Sequence, residues 1–404
     1  MKILMLTPYL PYPPASGGQI RSFNLLKYLS KRHEITLVCL YKNNDDKKYL
    51  SQLRPYCKSI YLCKRAEKPW QVKNILRAIF SSYPFLIVRN FSKDADQIVK
   101  KLVKEVSFDV IHAETFYIMP HLPETPTPFV LVEQTIEYKV YQHFLRSVPF
   151  FLRPLLNIDI AKLKYWERYY WKKAQVVGTV SESDAKVISA LEPNIKPVVI
   201  PNGAGDEMFV KTLLPKKMTA PTLLFVGSFY WLQNTEAATY LAERIFPLIK
   251  NDIPDVRLII AGQNAKNKIS EIQKEGIKII DIAPDDSNAI KDLYQHATLF
   301  LAPIFGPGGT RLKILAAMAS GLPIITTTTG IEGLSVEPGV HVLIANKEEE
   351  FVKMIKRALS DKKLYENMRK KSYDLVKEKY SWQAISHTLE IVYQKIIKKG
   401  ENRN

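Results

Sequence analysis

Residues 304–334 read IFGPGGTRLKILAAMASGLPIITTTTGIEGL. Gly306, Pro307, Gly308 and Gly309 form a loop, because glycine and proline punctuate regular structure. Beyond it Leu312, Leu315, Ala316 and Ala319 fall three and four apart, the spacing of one helical face. Gly321 and Pro323 stop that helix, and the β-branched run Ile324–Thr329 predicts a strand. A glycine loop opening into a helix leaves backbone N–H groups without partners, backed by the positive end of the helix dipole. Such a loop suits an anion, a phosphate above all. Arg311 and Lys313 stand in the first turn, where a cation opposes the dipole unless an anion is bound. A solvated helix start with ordinary surface charges is the alternative reading.

Around this stretch the same grammar repeats. Upstream, Thr222–Val226 predicts a strand, Gly227-Ser228 a loop and Thr235–Ile249 a helix. Strands follow at Arg257–Ala261, closed by Gly262, and then at Ile277–Ile280 and Thr298–Ala302. Downstream, Glu348–Ser360 and Lys363–Lys379 read as helices, and Ser381-Trp382 opens a last helix to about Lys398. Pro193–Pro215, irregular apart from a strand at Val198–Ile200 and the turn Pro201-Asn202-Gly203, is the expected linker. No period of 20–50 residues recurs, which excludes a solenoid.

The first half opens as a βαβ unit. Lys2–Thr7 predicts a strand, Pro8–Gly18 a proline-rich loop ending in Gly17-Gly18, and Ile20, Phe23, Leu26 and Leu29 the face of a helix. Glu34–Leu40 is the next strand. Parallel strands joined by helices imply an α/β layer fold. Ligands in such folds lie at the carboxyl ends of the strands, where Gly17 and Gly18 fall, although no GxGxxG fingerprint surrounds them. Asp109–His112 and Phe129–Val132 predict short buried strands, each followed by polar candidates: His112 and Glu114, then Glu133 and Glu137. A histidine at a strand end serves structure more often than chemistry, and its place on the ligand side of the sheet narrows that gap. Val148–Ile160, apolar with two prolines and Arg153, is expected to pack in the core rather than lie on a membrane surface. Ala161–Lys173 reads as a helix and Gln175–Val180 as a strand. Ser181, with Asp184 three positions on, caps the helix that follows.

The 404 residues carry 58 Lys and Arg against 40 Asp and Glu, a net charge of +18. Residues 1–200 hold 30 of the cations against 17 anions, so most of the excess sits in the first half. Such a basic half suits phosphorylated ligands or an anionic membrane surface. No zinc-finger spacing or RNA-binding aromatic motif appears, which argues against nucleic acid. Three cysteines, Cys39, Cys57 and Cys63, show no metal spacing and no disulfide framework. They point to a reducing, cytoplasmic setting. No run of 18 apolar residues spans a membrane, and prolines break the opening MKILMLTPYLPYPP, so a buried first strand is expected there rather than a signal peptide.

Taken in order, these motifs resemble the family-4 retaining glycosyltransferases of the GT-B fold. The resemblance rests on Gly17-Gly18 after the first strand, TVSESDA at 179–185, VIPNG at 199–203 and FVGSFYWLQN at 225–234. IIAG at 259–262, GGTRLKILAAMASGLPIITTTTGIEGL at 308–334 and Tyr380-Ser381-Trp382 complete it. It implies two facing Rossmann-like doubly wound domains with a deep cleft between them. Their expected extents are residues 1–195, completed by the final helix 381–404, and residues 196–380. The second would bind a nucleotide-diphospho-sugar and the first a lipid-linked or saccharide acceptor. The implied reaction is a hexosyl transfer with retention, without a metal or other cofactor, in polysaccharide or glycolipid assembly at the cytoplasmic face of a membrane. The implied donor-binding residues are Gly17, Gly18, Gly227, Ser228, Asn234, Gly308, Gly309, Thr310, Arg311 and Lys313. His112, then Glu114, are the residues expected at the transferring sugar.

The chain departs from the family pattern in two places. Gly308 and Ala316 stand where many members carry two glutamates with seven residues between them, and Glu332 is the expected substitute for the second, on the ribose. Phe229–Gln233 contains no Lys or Arg, which shifts phosphate binding onto Arg311 and Lys313. A catalytically degenerate GT-B binding or scaffold subunit, and a nucleotide-sugar epimerase of the same fold, are the alternatives.

Overall fold

The structure, a computed structural model, describes residues 1–68, 70–145, 148–213, 220–283, 286–306 and 312–401, with side chains as far as 398. The expected phosphate-loop residues Gly308, Gly309, Thr310 and Arg311 therefore lie outside the described residues. The chain divides into two units, Met1–Pro201 with Ser386–Asn404, and Asn202–Ile385.

The first unit holds a parallel sheet of seven strands: β1 (Lys2–Thr7), β2 (Glu34–Tyr41), β3 (Ser59–Lys64), β4 (Val110–Glu114), β5 (Phe129–Glu133), β6 (Val176–Thr179) and β7 (Val198–Val199). Their spatial order is β3-β2-β1-β4-β5-β6-β7. In the second unit β8 (Thr222–Val226), β9 (Arg257–Gly262), β10 (Ile277–Asp281), β11 (Leu299–Ala302), β12 (Ile324–Thr326) and β13 (Leu343–Ile344) lie in the order β10-β9-β8-β11-β12-β13. Every registered pair is parallel. Each sheet thus reverses its strand order once, beside β1 and β4 in one unit and beside β8 and β11 in the other. Ligands of doubly wound sheets sit at the carboxyl ends of the strands at such reversals.

The near-continuous apolar strands of β1, β2, β8 and β11 are the signature of a sheet covered on both faces. Leu4, Leu6, Ile111 and Leu131 are buried in the first core, and Leu223, Phe225, Ile260 and Leu301 in the second. The unit boundaries differ from the expected 195/196 and 380/381 for a bonding reason. β7 pairs with β6 and so stays in the first sheet. Ala204 N donates to Tyr380 O at 2.9 Å, which ties the start of the last helix to the second unit.

Several local expectations are corrected. The helix after β1 runs from Gly17 to Leu29, so both glycines lie in its first turn and not in the preceding loop. Its buried residues include Arg21, Ser22 and Asn24, whereas Ile20 and Phe23 are only half-buried. The helix Leu312–Ala319 buries Ile314, Leu315, Ala317, Met318 and Ala319. It is apolar almost all round, as befits a helix buried inside a unit, and Leu312, Lys313 and Ala316 are its less covered residues. The expected helix 235–249 is interrupted by a π turn at Leu241–Ile245, between helices Leu232–Tyr240 and Phe246–Asp252.

The reading of Val148–Ile160 as core is overturned. Val148 and Ile160 are buried, but Phe150 is 79% and Phe151 67% exposed, and Leu152, Leu155 and Ile158 are exposed with them. The helix Arg153–Lys173 already begins inside this stretch, with Pro154 in its first turn. Only one side of that helix meets the sheet, so the other apolar side is left uncovered.

Candidate functional site

At the β1–β4 reversal the helix Gly17–Leu29 starts against Tyr9 and Gln134. A methyl group on Gly18 would lie 2.6 Å from Tyr9 Oη and 2.7 Å from Gln134 Oε1. Glycine is needed there for close approach. Gln134 Nε2 lies 2.5 Å from Tyr9 Oη and 2.5 Å from Glu114 Oε2. One turn into the helix, Arg21 Nε donates to Glu114 Oε1 at 3.0 Å and Oε2 at 3.2 Å. Its Nη1 donates to the carbonyls of Ile200 at 3.0 Å and Pro201 at 3.1 Å. A single buried guanidinium therefore joins β1's helix, the end of β4 and the strand exit after β7.

His112 and Glu114, the expected sugar contacts, are both fully buried. His112 Nε2 lies 2.8 Å from Glu114 Oε1, and Nδ1 lies 2.7 Å from Tyr393 Oη, on the last helix. A carboxylate only accepts, so Nε2 carries the proton. Burial raises the Tyr393 phenol well above its ordinary value, so that hydroxyl stays protonated and donates to Nδ1. Both ring nitrogens are occupied. In this arrangement His112 and Glu114 position β4 and the Gly18 helix and present no nitrogen or oxygen to solvent. Burial alone would raise the Glu114 carboxyl, but Arg21's charge and the His112 and Gln134 bonds outweigh it and hold it at about 2. The next residue, Thr115, has φ of 71°, the strained side for a β-branched residue.

Of the polar pair after β5, Glu133 is also fully buried and Glu137 is half-buried. Glu133 accepts from Trp171 Nε1 at 2.8 Å and Phe116 N at 3.3 Å. Glu167 caps the start of the helix Glu137–Phe144 by accepting from Glu137 N at 2.7 Å and Tyr138 N at 3.2 Å. Burial pushes the Glu133 carboxyl up to about 8 and that of Glu137 up to about 7. The folded chain thus holds protons that the unfolded chain has released, so this stabilisation is complete in acid and lost as pH rises through those values. Thermal stability should fall between about pH 5 and 8, and Glu133→Gln should flatten the melting-temperature curve over that interval. An unchanged slope in the variant would contradict the assignment.

The second reversal gathers four of the donor candidates, Gly227, Ser228, Asn234 and Lys313. Gly227 N donates to Ala261 O at 3.0 Å. Gly262, at φ +144°, packs so closely that a methyl group would fall 1.8 Å from Gly227 O. Two glycine backbones thus pack against each other at the mouth of β8. Asn234 Nδ2 donates to Ser228 O at 2.7 Å, while Asn234 Oδ1 accepts from Lys313 Nζ. Lys313 Nζ also lies 4.6 Å from the centre of the Phe225 ring. Asn234 is thereby spent on positioning, with one end on the β8 loop and the other on the ammonium of the glycine-loop helix. A methyl group on Gly306 would lie 3.7 Å from Gln233 Oε1, so the glycine loop begins beside the same turn. Glu332 is exposed just past the turn Thr329–Ile331. The structure thus brings Gly227, Ser228, Asn234 and Lys313 together at one strand mouth.

Sequence reasoning overlooked Arg21, an apparently ordinary cation on an amphipathic helix. Its signal was its place on the otherwise buried helix face, three residues past Gly18. It also overlooked the rim at Tyr230 and Trp231, which are 71% and 59% exposed directly after the β8 loop. The signal there is two consecutive aromatic residues in a turn that carries no Lys or Arg.

Comparison with known proteins agrees with this geometry. The profile described as Glycosyltransferase Family 4 matches residues 15–207, and the one described as Glycosyl transferases group 1 matches residues 220–361. A Klebsiella pneumoniae protein described as an uncharacterized 44.6 kDa protein in the cps region is 25% identical over 387 residues, covering 88% of this chain and 90% of that one. Among solved structures, sucrose-phosphate synthase from Thermosynechococcus elongatus superposes with a TM-score of 0.69 at 14% identity, over 99% of this chain and 100% of that one. WaaG, a glycosyltransferase involved in lipopolysaccharide biosynthesis, gives 0.66 at 13% identity, over 97% and 99%. An Anabaena protein, HepE in complex with UDP, gives 0.63 at 14% identity, over 98% and 100%. With both profiles matched in sequence and two parallel doubly wound sheets in place, the chain belongs to the group 1, family 4 glycosyltransferases of the GT-B fold.

Proposed function

We propose that this glycosyltransferase moves a hexose from a nucleotide-diphospho-sugar to a lipid-linked or saccharide acceptor, with retention, in the assembly of a cell-surface polysaccharide or glycolipid. The observation that carries the reading is Lys313. Its ammonium is held by Asn234 at the mouth of β8, beside the Gly227–Ser228 loop and the start of the glycine loop. A diphosphate leaving group gains negative charge as the glycosidic bond breaks, and a fixed cation among backbone N–H groups stabilises it most at that moment. Lys313, with Arg311 and the amides of Gly308, Gly309 and Thr310, fills that role in our reading, and no metal is required. Within the first unit Gly18 admits Tyr9 and Gln134 at the helix start, and His112 and Glu114 act as positioning residues behind it. The UDP bound by the Anabaena relative and the cps-region setting of the Klebsiella relative support a nucleotide donor and a polysaccharide product.

Isothermal titration with UDP and GDP tests the donor half. We expect saturable binding of one of them, and no binding of either at millimolar concentration would defeat it. Turnover with nucleotide sugars and an acceptor extract should release nucleoside diphosphate together with a new linkage. An isomerised sugar without a new linkage would instead mark an epimerase.

We place the chain on the inner surface of a membrane through the uncovered apolar side of the first unit. No helix among the described residues is long and apolar enough to cross a membrane. Phe80 is 85%, Phe150 79% and Val72 70% exposed. Their helices adjoin, since Lys162 Nζ donates to Ala78 O and Ser81 O, each at 2.7 Å. Lys68, Lys73, Arg77 and Arg153 are exposed among them, a combination that suits an anionic bilayer. The chain should co-sediment with vesicles containing anionic phospholipid and much less with neutral ones. Phe150→Ser with Phe151→Ser should weaken that binding by roughly 1–2 kcal/mol per ring. Equal sedimentation of the variant would remove this face from the contact.

A further inference from the structure

At the carboxyl ends of β2 and β3 three cations gather. Lys42 follows β2 directly, and Arg65 follows β3, with Arg65 N donating to Tyr41 O at 3.0 Å. The helix Phe85–Asn90 brings Arg89 to the same place, because Arg65 Nη1 donates to Asn90 Oδ1. The Nε atoms of Arg65 and Arg89 are buried without a hydrogen-bond partner. Among the described residues no carboxylate lies within 4.0 Å of any of the three cations.

Two of the three acidic groups that face the cluster are committed elsewhere. Asp46 accepts from Lys42 N at 3.3 Å and Asn43 N at 3.0 Å. Asp159 accepts from Phe85 N at 2.8 Å. Glu137 is pushed up to about 7 by burial despite Arg89, so it supplies only part of a counter-charge near neutral pH. Partial burial and the charges of Arg65 and Arg89 pull the Lys42 ammonium down, and burial and Arg89 do the same to Arg65, against the Tyr117 hydroxyl. Three like charges held together with two unpartnered guanidinium nitrogens cost stability unless something negative joins them. Their place at the strand ends is where a doubly wound sheet binds ligand. Apolar surface adjoins it, since Arg89 stands 5.8 Å from the centre of the Phe85 ring, and that ring stacks on exposed Trp70 at 4.9 Å.

We infer that Lys42, Arg65 and Arg89 form a binding site for an oxyanion, a phosphate or carboxylate carried by the acceptor. The inference rests on the glycosyltransferase reading for the word acceptor, and on the cluster alone for the anion. Two planar guanidinium groups suit the paired oxygens of either group. The Trp70–Phe85 pair beside them suits the apolar part of an acceptor whose phosphate is attached to a lipid.

The test is titration of the full chain with inorganic pyrophosphate and, separately, with glucuronate, with UDP titrated in parallel. At least one of the two anions should bind saturably, pyrophosphate more tightly if the acceptor carries phosphate and glucuronate if it carries an acidic sugar. Arg89→Gln should weaken that binding about tenfold, as for loss of a charge-assisted contact, and leave UDP affinity unchanged. Should Arg65→Gln or Arg89→Gln fail to fold, Lys42→Gln, the most exposed of the three, should still weaken the anion about threefold. Binding of neither anion, or equal binding by native chain and folded variants, would overturn the site. Loss of UDP binding with the anion response intact would overturn the donor reading and leave this one standing.

Discussion

Arg21→Met should destabilise the first unit by about 3–5 kcal/mol, the cost of stranding a buried charge. Arg21 and Glu114 are both wholly buried, and the guanidinium also satisfies the carbonyls of Ile200 and Pro201. Methionine fills the space of the side chain but supplies no donor. Glu114, held at about 2 largely by Arg21, would then take up a proton or draw water into the core, and two carbonyls would lose their partner. The double variant Arg21→Met, Glu114→Gln should recover part of the loss, because it leaves no unpaired charge. Urea unfolding of the native chain, both single variants and the double variant measures this coupling. A loss below about 1 kcal/mol for Arg21→Met would show the pair to be solvated, contrary to its burial.

Lys313→Ala should weaken nucleoside diphosphate binding by about 1.5–3 kcal/mol, roughly ten- to 150-fold in affinity. The ammonium sits over Phe225 and bonds to Asn234, so its direction is settled before any ligand arrives. Pre-positioning matters because the ordering cost of a long flexible chain is already met in the free protein. Asn234→Ala removes the holder and leaves the charge, so its loss should be smaller than that of Lys313→Ala. Titration of UDP or GDP into the three proteins, with melting temperatures in parallel, separates lost contact from lost structure. Unchanged affinity in Lys313→Ala would take this lysine out of the site.

Much of this was legible beforehand. The strands β1, β2, β8 and β9 are uninterrupted apolar runs ended by glycine, proline or charge, and a buried parallel strand leaves few other patterns. The Ser181 cap was equally plain: its Oγ accepts from Asp184 N at 3.1 Å, a bond between residues three apart. β3 and the helices Val72–Phe80 and Lys93–Glu105 were not read, although the last is amphipathic and capped by Ser92. That region mixes charged and apolar residues, and only packing against the sheet selects among its local options. Phe150 and Phe151 show the opposite failure, since apolar composition alone does not say whether a partner surface exists to cover it.

By itself the sequence determined two parallel α/β units, the glycine-opened strand mouths and the membership of the glycosyltransferases, because strand period, glycine and capping act over a few neighbouring residues. Only the tertiary structure decided that Arg21 belongs to Glu114 across 93 positions and that Tyr393 closes the ring of His112 across 281. It also decided that Arg65 and Arg89 share one corner of the first sheet. Such pairings depend on which strand ends the chain brings side by side, and no local pattern carries that information.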